Sequence, residues 1–334
     1  MPAEPRRPPD AADRRCALRA GLQAGAALLA LPGLVGCARH EPLLRVASNI
    51  WPGYALMHAA QSLGRFDPSR IRLIEMPSSS DVVLALASGA IEAGAVTLDE
   101  LLAARADGLD LVAVLVFDES RGGDAVIARP EVRGLADLAG RRIGVEQSAV
   151  GALVLQAMLR SAGLRLDQVE PVVLTVAEHV EAWRERRVDA LVSFEPALSQ
   201  MLALGGRRVF DSRSMPGAIV DVLAVRRPVL ARHPRGLRQI AAAHFELLTQ
   251  WQAEPQKLEP ILAEHLGLAP AAVAPSFEGL HLPDLALNRS WLTGSAPMLA
   301  TSASALVEVM QTGRMLPRRP SLDDLTSGLV LDVR

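Results

Sequence analysis

Short apolar runs of four to seven residues recur between longer stretches of helical period, and this alternation leaves few folds open to the chain. The runs cover residues 43–47, 71–75, 111–117, 142–145, 171–174 and 189–192. Each is too short for a helix, so the rhythm is that of βαβ units around mostly parallel sheets, an α/β class. The helices between them have legible ends. Residues 81–88 carry Val82, Val83, Leu86 and Ala87 on one face and stop at Gly89, and residues 150–162 stop at Gly163. Two segments break the alternation. Residues 124–128 follow their predecessor through Gly122-Gly123 with no helix between, and residues 219–225 follow Pro216-Gly217 in the same way. Each reads as a crossing from one α/β lobe to another. Two crossings predict a discontinuous first lobe, residues 43–126 plus 222–320, and a continuous second lobe, residues 127–221. Such a body has two hinge strands and a cleft suited to closing on a small ligand. Beyond Pro228 the pattern is helical over 234–251, 255–266, 270–277 and 297–311, and residues 321–334 form a tail whose order stays open.

The N-terminal residues predict where this body works. Arg14, Arg15 and Arg19 precede an apolar core at 22–31 that is too short to span a bilayer, and Leu34-Val35-Gly36-Cys37 closes the leader as a lipobox. Residues 1–36 are therefore expected to leave as a signal peptide, with Cys37 as the acylated N-terminus and residues 37–42 as a tether. The pair Arg14-Arg15 leaves open whether export is by the general or the twin-arginine route. Of the two cysteines, Cys16 departs with the leader and Cys37 is spent on lipid, so no disulfide framework is possible. No second run of about 18 apolar residues follows. A net charge of −2 gives no electrostatic footprint for nucleic acid.

In open parallel sheets, ligands sit beyond the carboxyl ends of the strands. Those ends carry Asn49, Trp51 and Tyr54 after the first strand and Ser79-Ser80 after the second, then Asp99 and Glu100, Asp118, Glu146 and Ser148, Glu178-His179 and Glu195. Some have local explanations: Thr97 with Glu100 and Thr175 with Glu178 fit capping boxes, and Ser80 and Ser148 fit N-caps. A helix start that is capped still offers N–H groups to an anion. With four tryptophans and one tyrosine in the whole chain, Trp51 and Tyr54 in one Pro-Gly turn either stack on a flat ligand or pack on the first helix. Asp99, Asp118, Glu146 and Glu195 at strand ends, with Asp221 on a hinge strand, form a carboxylate cluster that no arginine at an equivalent position matches. Carboxylates in a partly dry cleft bind cations, accept hydrogen bonds or hold raised pKa values, unless they pair with surface arginines such as Arg121 and Arg142. His179 is read as a surface helix histidine rather than as acid–base equipment. No Gly-rich nucleotide loop, Gly-x-Ser-x-Gly elbow, His-Glu-x-x-His or metal-spaced Cys/His pair occurs, so neither cofactor nor metal is expected.

At Ser48-Asn49-Ile50-Trp51-Pro52-Gly53-Tyr54, Thr97-Leu98-Asp99-Glu100, Gly144-Val145-Glu146-Gln147-Ser148-Ala149-Val150-Gly151 and Ser193-Phe194-Glu195-Pro196, the chain resembles the periplasmic solute-binding proteins of ABC importers. Within these it is similar to the branch that groups nitrate-, sulfonate- and taurine-binding proteins with thiamine-pyrimidine-precursor binders and pyrimidine synthases. The resemblance runs from about Leu43 to Gly313. It implies a two-lobed type II binding protein on the extracytoplasmic side, here held to the membrane by lipid. A monomer is expected, handing a solute to a permease with cytoplasmic ATPases. Ligand contacts implied for this chain are Asn49, Trp51, Tyr54, Ser79, Ser80, Asp99, Glu146, Ser148 and Glu195, with Asp221 near the hinge. Sulfonate and nitrate binders rely on small hydroxyl residues and helix-start amides, a role open to Ser79, Ser80 and Ser148. The carboxylates depart from a simple anion pocket and favour taurine-like zwitterions or pyrimidine-like heterocycles stacked on Trp51. The pyrimidine synthases depend on a cysteine-rich, iron-binding segment that has no counterpart here, so an enzyme is not expected. Two other readings stay open: a sensory lipoprotein acting with a membrane receptor, and a hydrolase using Glu146 or Glu195.

Overall fold

The computed structural model describes residues 41–332; the leader, the lipobox and Cys37 lie outside the described residues. Strands β1 (Leu44–Ser48), β2 (Ile71–Glu75) and β3 (Ala93–Thr97) are joined by helices α1 (Pro52–Ser62) and α2 (Ser79–Ser88), and α3 (Leu98–Ala106) leads into β4 (Leu111–Ser120). After Arg121-Gly122-Gly123 a second sheet begins with β5 (Asp124–Ala128). It continues as β6 (Arg142–Val145), α4 (Ala149–Ala162), β7 (Glu170–Val173), α5 (His179–Arg184), β8 (Ala190–Phe194), α6 (Ala197–Ala203) and β9 (Arg207–Asp211). Strand β10 (Val220–Arg226) returns the chain to the first sheet. Then come α7 (Arg227–Leu230), α8 (Pro234–Ala253), α9 (Glu259–Leu266), α10 (Pro270–Phe277), β11 (Leu280–His281), α11 (Leu285–Leu292) and α12 (Met298–Thr312).

The two sheets run β11-β4-β10-β3-β1-β2 and β7-β6-β8-β5-β9, which gives the two-lobed α/β fold. β1 is parallel to β2 and β3, and β6 is parallel to β7 and β8. The two strands that join a sheet without a preceding helix run the other way: β10 is antiparallel to β3 and β4, and β5 to β8 and β9. Each takes a place in the interior of its sheet; β5 is buried along its whole length and β10 at all but its last residue, and each carries an acidic residue, Asp124 and Asp221, near its start.

Local chemistry explains where the helices sit. Gly94 of β3 lets α2 pack tightly, because a Cβ there would lie 2.6 Å from a Val82 methyl. α2 ends at Gly89 with φ 75°, a left-handed cap that glycine adopts without strain. The Pro52-Gly53 pair, expected as a turn, is the first turn of α1, with Trp51 as its N-cap and Pro52 at the position where a missing N–H costs nothing. The C-terminal segment also finds a place: Ala113 of β4 donates its N–H to Leu325 O at 2.9 Å and accepts from Ser327 N at 2.9 Å, while Val330 and Leu331 are buried. No helix among the described residues is long and apolar enough to cross a membrane.

Candidate functional site

The carboxyl end of β1 delivers the chain into α1, and the first turn of that helix turns two rings inward. Trp51 Nε1 donates to Asp118 Oδ2 at 3.0 Å, and the Tyr54 hydroxyl makes a short bond to Asp221 Oδ1. Asp118 on β4 and Asp221 on β10 are register partners, and Asp221 is in turn the partner of Thr97 on β3. Three adjacent strands thus end in one polar row beneath the α1 N-terminus. Gly53 is required by this approach, since a Cβ at that position would lie 1.7 Å from Asp118 Oδ2.

From the second sheet, Phe194 at the end of β8 meets the Trp51 ring edge-on at 5.8 Å between centroids. Ser80, at the start of α2, donates to Gln147 O at 3.2 Å. The lobes therefore touch across the cleft at both an aromatic and a polar contact. Two cavities remain between them. The inner one, about 30 Å³, is lined by Asn49, Trp51, Tyr54, Ser79, Asp124, Phe194 and Asp221 among others. That is room for about one water. The outer one, about 630 Å³, is lined by Ser80, Glu146, Ser148, Arg314 and a set of small and branched apolar side chains. Glu100 lines both. Its Oε1 accepts from Ser79 Oγ at 2.5 Å and its Oε2 from Thr97 N at 3.0 Å, which pins it between the two spaces. A further cavity of about 450 Å³, between α4, the 212–218 turn and α12, has no carboxylate in its wall.

The electrostatics of the cleft are one-sided. Asp99, Glu100, Asp118, Asp124, Glu146 and Asp221 are all buried, and no basic side chain lines the inner cavity. Burial raises every one of their pKa values, because a charge taken out of water loses its hydration. Asp118 is held at about 7, with the Trp51 N–H pulling it back down, and Asp124 at about 6 with the Ser120 hydroxyl doing the same. Glu146 sits at about 7 through burial and then the Glu100 charge, and the nearby Ser148 hydroxyl tempers it. Asp221 is pushed well up by burial and by Asp118, and Asp99 by burial and by Glu100. Glu100 rises less far, because Ser79 and the Thr97 N–H oppose its burial. Both oxygens of Asp99 and Glu146, and one each of Asp118, Asp124 and Asp221, have no hydrogen-bond partner. Among the described residues, no group of three or more His, Cys, Asp or Glu is placed to hold a metal ion. What this arrangement offers is a set of buried carboxyl groups around an aromatic corner, their ionisation opposed by burial and ready to be drawn out by a positive partner.

The structure brings Asn49, Trp51, Tyr54, Ser79 and Asp221 together around the inner cavity, with Asp118 behind Trp51. Ser80, Glu146 and Ser148 gather around the outer one. Two of the expected residues lie elsewhere. Asp99 is fully buried and lines neither cavity; one position on, Glu100 is the group that faces both. Glu195 turns back on its own helix, accepting from Ser199 Oγ at 2.9 Å and Ser199 N at 3.2 Å. Burial raises its pKa while Ser199 opposes the rise. His179 is not a surface histidine: it is fully buried, its Nδ1 is 3.0 Å from Ser193 Oγ, and burial lowers its pKa to about 4. Asp124 and Phe194 also line the inner cavity and were not singled out as contacts from the sequence. The usable signal was strand direction: β5 and β10 run antiparallel to their neighbours, so their first residues, not their last, face the cleft.

The sequence profile of the family described as NMT1/THI5 like matches residues 51–244, which takes in α1, the whole second sheet and both crossings. A putative aliphatic sulfonates-binding protein of Escherichia coli is 26% identical over 215 residues, covering 64% of this chain and 67% of that protein. The taurine-binding periplasmic protein of the same organism is 26% identical over 181 residues, covering 53% of this chain and 56% of the relative's own length. Among solved structures, the alkanesulfonate-binding protein from Xanthomonas axonopodis pv. citri bound to MOPS superposes with a TM-score of 0.72 at 19% identity, covering 85% of this chain and 97% of that one.

Proposed function

Because the chain belongs to the NMT1/THI5-like family, we propose that it is an extracytoplasmic solute-binding protein of the ABC-importer type. It captures a small nitrogen-containing organic solute, a taurine-like zwitterion or a pyrimidine-like heterocycle, and delivers it to a permease served by cytoplasmic ATPases. In this reading residues 43–126 plus 222–320 form one lobe and 127–221 the other, and the solute is held between them by a monomer. Cys37 carries the lipid that keeps the protein on the outer face of its membrane; that assignment rests on the Leu34-Val35-Gly36-Cys37 pattern.

One observation supports the choice of solute above the rest. The inner cavity is walled by Asp124, Asp221 and Glu100 with no basic side chain, and Trp51, Tyr54 and Phe194 close it. That inner space holds about one water, so the solute itself lies in the outer cavity, where a bare sulfonate or nitrate would face the buried carboxyls of Glu100 and Glu146 and a nitrogen bearing N–H groups finds the unpartnered oxygens of Glu146. The matched relatives are binding proteins named for sulfonates and taurine, and taurine carries both an amine and a sulfonate. The same relatives support a binding role rather than catalysis, and so does Glu195, whose carboxylate is occupied by Ser199 and is not free to act on a solute.

A thermal-shift and native mass spectrometry screen with taurine, alkylsulfonates, pyrimidines and nitrate tests this. A solute that binds only the native state, at 100 times its dissociation constant, should add about 2.7 kcal/mol of stability. The bound compound should be recovered chemically intact. No stabilisation by any member, or steady conversion of a bound compound, would overturn the assignment.

A further inference from the structure

The lining of the outer cavity is chemically mixed. Glu100 and Glu146 are buried residues on it, Val83, Leu155 and Met315 give it apolar wall, and Arg314 is an exposed residue on it. Glu146 is only 7% exposed and neither of its oxygens has a hydrogen-bond partner. A carboxylate so placed lacks the compensation that buried charges normally have, and the charges of Glu100 and Asp81 press on it further. An ammonium group between Glu100 and Glu146 would supply both the charge and the N–H donors missing there. The volume, about 630 Å³, exceeds what so small a molecule as taurine fills, and the apolar walls suit a hydrocarbon spacer. An anionic group at the far end of that spacer would meet the Arg314 guanidinium, a donor fork matched to sulfonate or carboxylate oxygens.

We propose that this cleft takes its solute amine first: the ligand class is a long ω-amino sulfonate or related amino zwitterion. Its ammonium lies between Glu100 and Glu146, its spacer lies on Val83, Leu155 and Met315, and its anionic end turns outward to Arg314. The proposal rests on the solute-binding reading above and adds to it the class of solute and the direction in which it lies. Glu146 is the specificity determinant, and Arg314 refines the choice among amines.

Calorimetric titration of the full chain at pH 7.5 with four probes tests it: 6-aminohexanesulfonate, its N-acetyl derivative, hexylammonium and hexanesulfonate. The aminosulfonate and hexylammonium should bind, and the N-acetyl derivative and hexanesulfonate should bind at least tenfold more weakly. Glu146→Gln should weaken both amines at least tenfold, whereas Arg314→Gln should weaken the aminosulfonate alone. Shortening the spacer should lose roughly fourfold per methylene removed from apolar contact. Ala152→Trp offers a check independent of the carboxylates. Ala152 is an exposed residue lining the cavity, so the ring fills the space without entering the core and should weaken both six-carbon amines at least tenfold. Hexanesulfonate binding as tightly as its amino counterpart, or amine affinities indifferent to Glu146→Gln and Ala152→Trp, would overturn the amine-first orientation while leaving a solute-binding protein. Failure of every probe, together with failure of the wider solute screen, would remove both.

Discussion

Glu146→Gln should make the unliganded protein more stable than its parent at pH 8 and leave it nearly unchanged at pH 4.5. Burial, and after it the charge of Glu100, holds the Glu146 pKa at about 7 where an unfolded chain has 4.5. Below pH 4.5 the carboxyl is protonated in both states and the fold carries no penalty. As the pH climbs from 4.5 to 7 the unfolded chain gives up its proton first, so the group's contribution is lost through that window and stays lost above it. The difference between 4.5 and about 7 is worth about 3 kcal/mol. That figure is a ceiling, because any parting of the lobes would wet the carboxylate and relieve part of the cost. Glutamine is neutral throughout and matches the protonated acid in shape. Urea denaturation of both proteins at pH 4.5, 6 and 8 reads the difference directly, and the Gln variant should pull ahead by up to about 3 kcal/mol between the first and last. A gap that stays constant across the three pH values would refute the reasoning, and so would a variant that falls behind at pH 8. Either would mean that the charge is already solvated or paired.

Three further substitutions address the same cleft. Gly53→Ala places a methyl 1.7 Å from Asp118 Oδ2, so it should cost about 1–3 kcal/mol of stability and lower the thermal midpoint visibly. Trp51→Phe keeps an aromatic ring, though a smaller one, and deletes the N–H that Asp118 accepts, which should cost about 1–3 kcal/mol and weaken solute binding in a titration. Glu195→Gln should leave solute affinity within about twofold of the parent, because its carboxylate is engaged with Ser199 rather than with either cavity.

Much of this architecture was legible in the sequence. β2, β5 and β6 fall on the residues expected of them, because each is a short stretch whose apolar residues go to the core, with β2 alternating buried Ile71 and Leu73 against exposed Arg72 and Glu75. The two strands that begin with no helix before them, after Gly122-Gly123 and Pro216-Gly217, mark where the chain passes between sheets. β3, Ala93-Gly94-Ala95-Val96-Thr97, was harder to see: its small residues are there to admit α2 and give little hydrophobic signal. The pairing of the C-terminal segment with Ala113 could not be read locally either, since it depends on an edge of β4 far away in sequence. In the site, Trp51 and Tyr54 stood out by rarity, yet both are core residues as much as wall, 4% and 2% exposed. Asp99, expected among the contacts, lines neither cavity, whereas Glu100, expected as the capping partner of Thr97, is that and also lines both, and helix geometry is the reason. Successive residues point about 100° apart, and only the one at the third helical position turns back toward Thr97 and Ser79.

The most direct test of a cleft whose carboxylates await a positive nitrogen is to count protons during binding. Titration calorimetry at pH 6, in buffers of differing ionisation enthalpy, gives that number for the solute that best stabilises the protein. A cation arriving beside Glu146 lowers its pKa from about 7, so binding should release protons. Proton uptake would mean that the cleft receives an anion on carboxyls it must first neutralise, and would contradict the account.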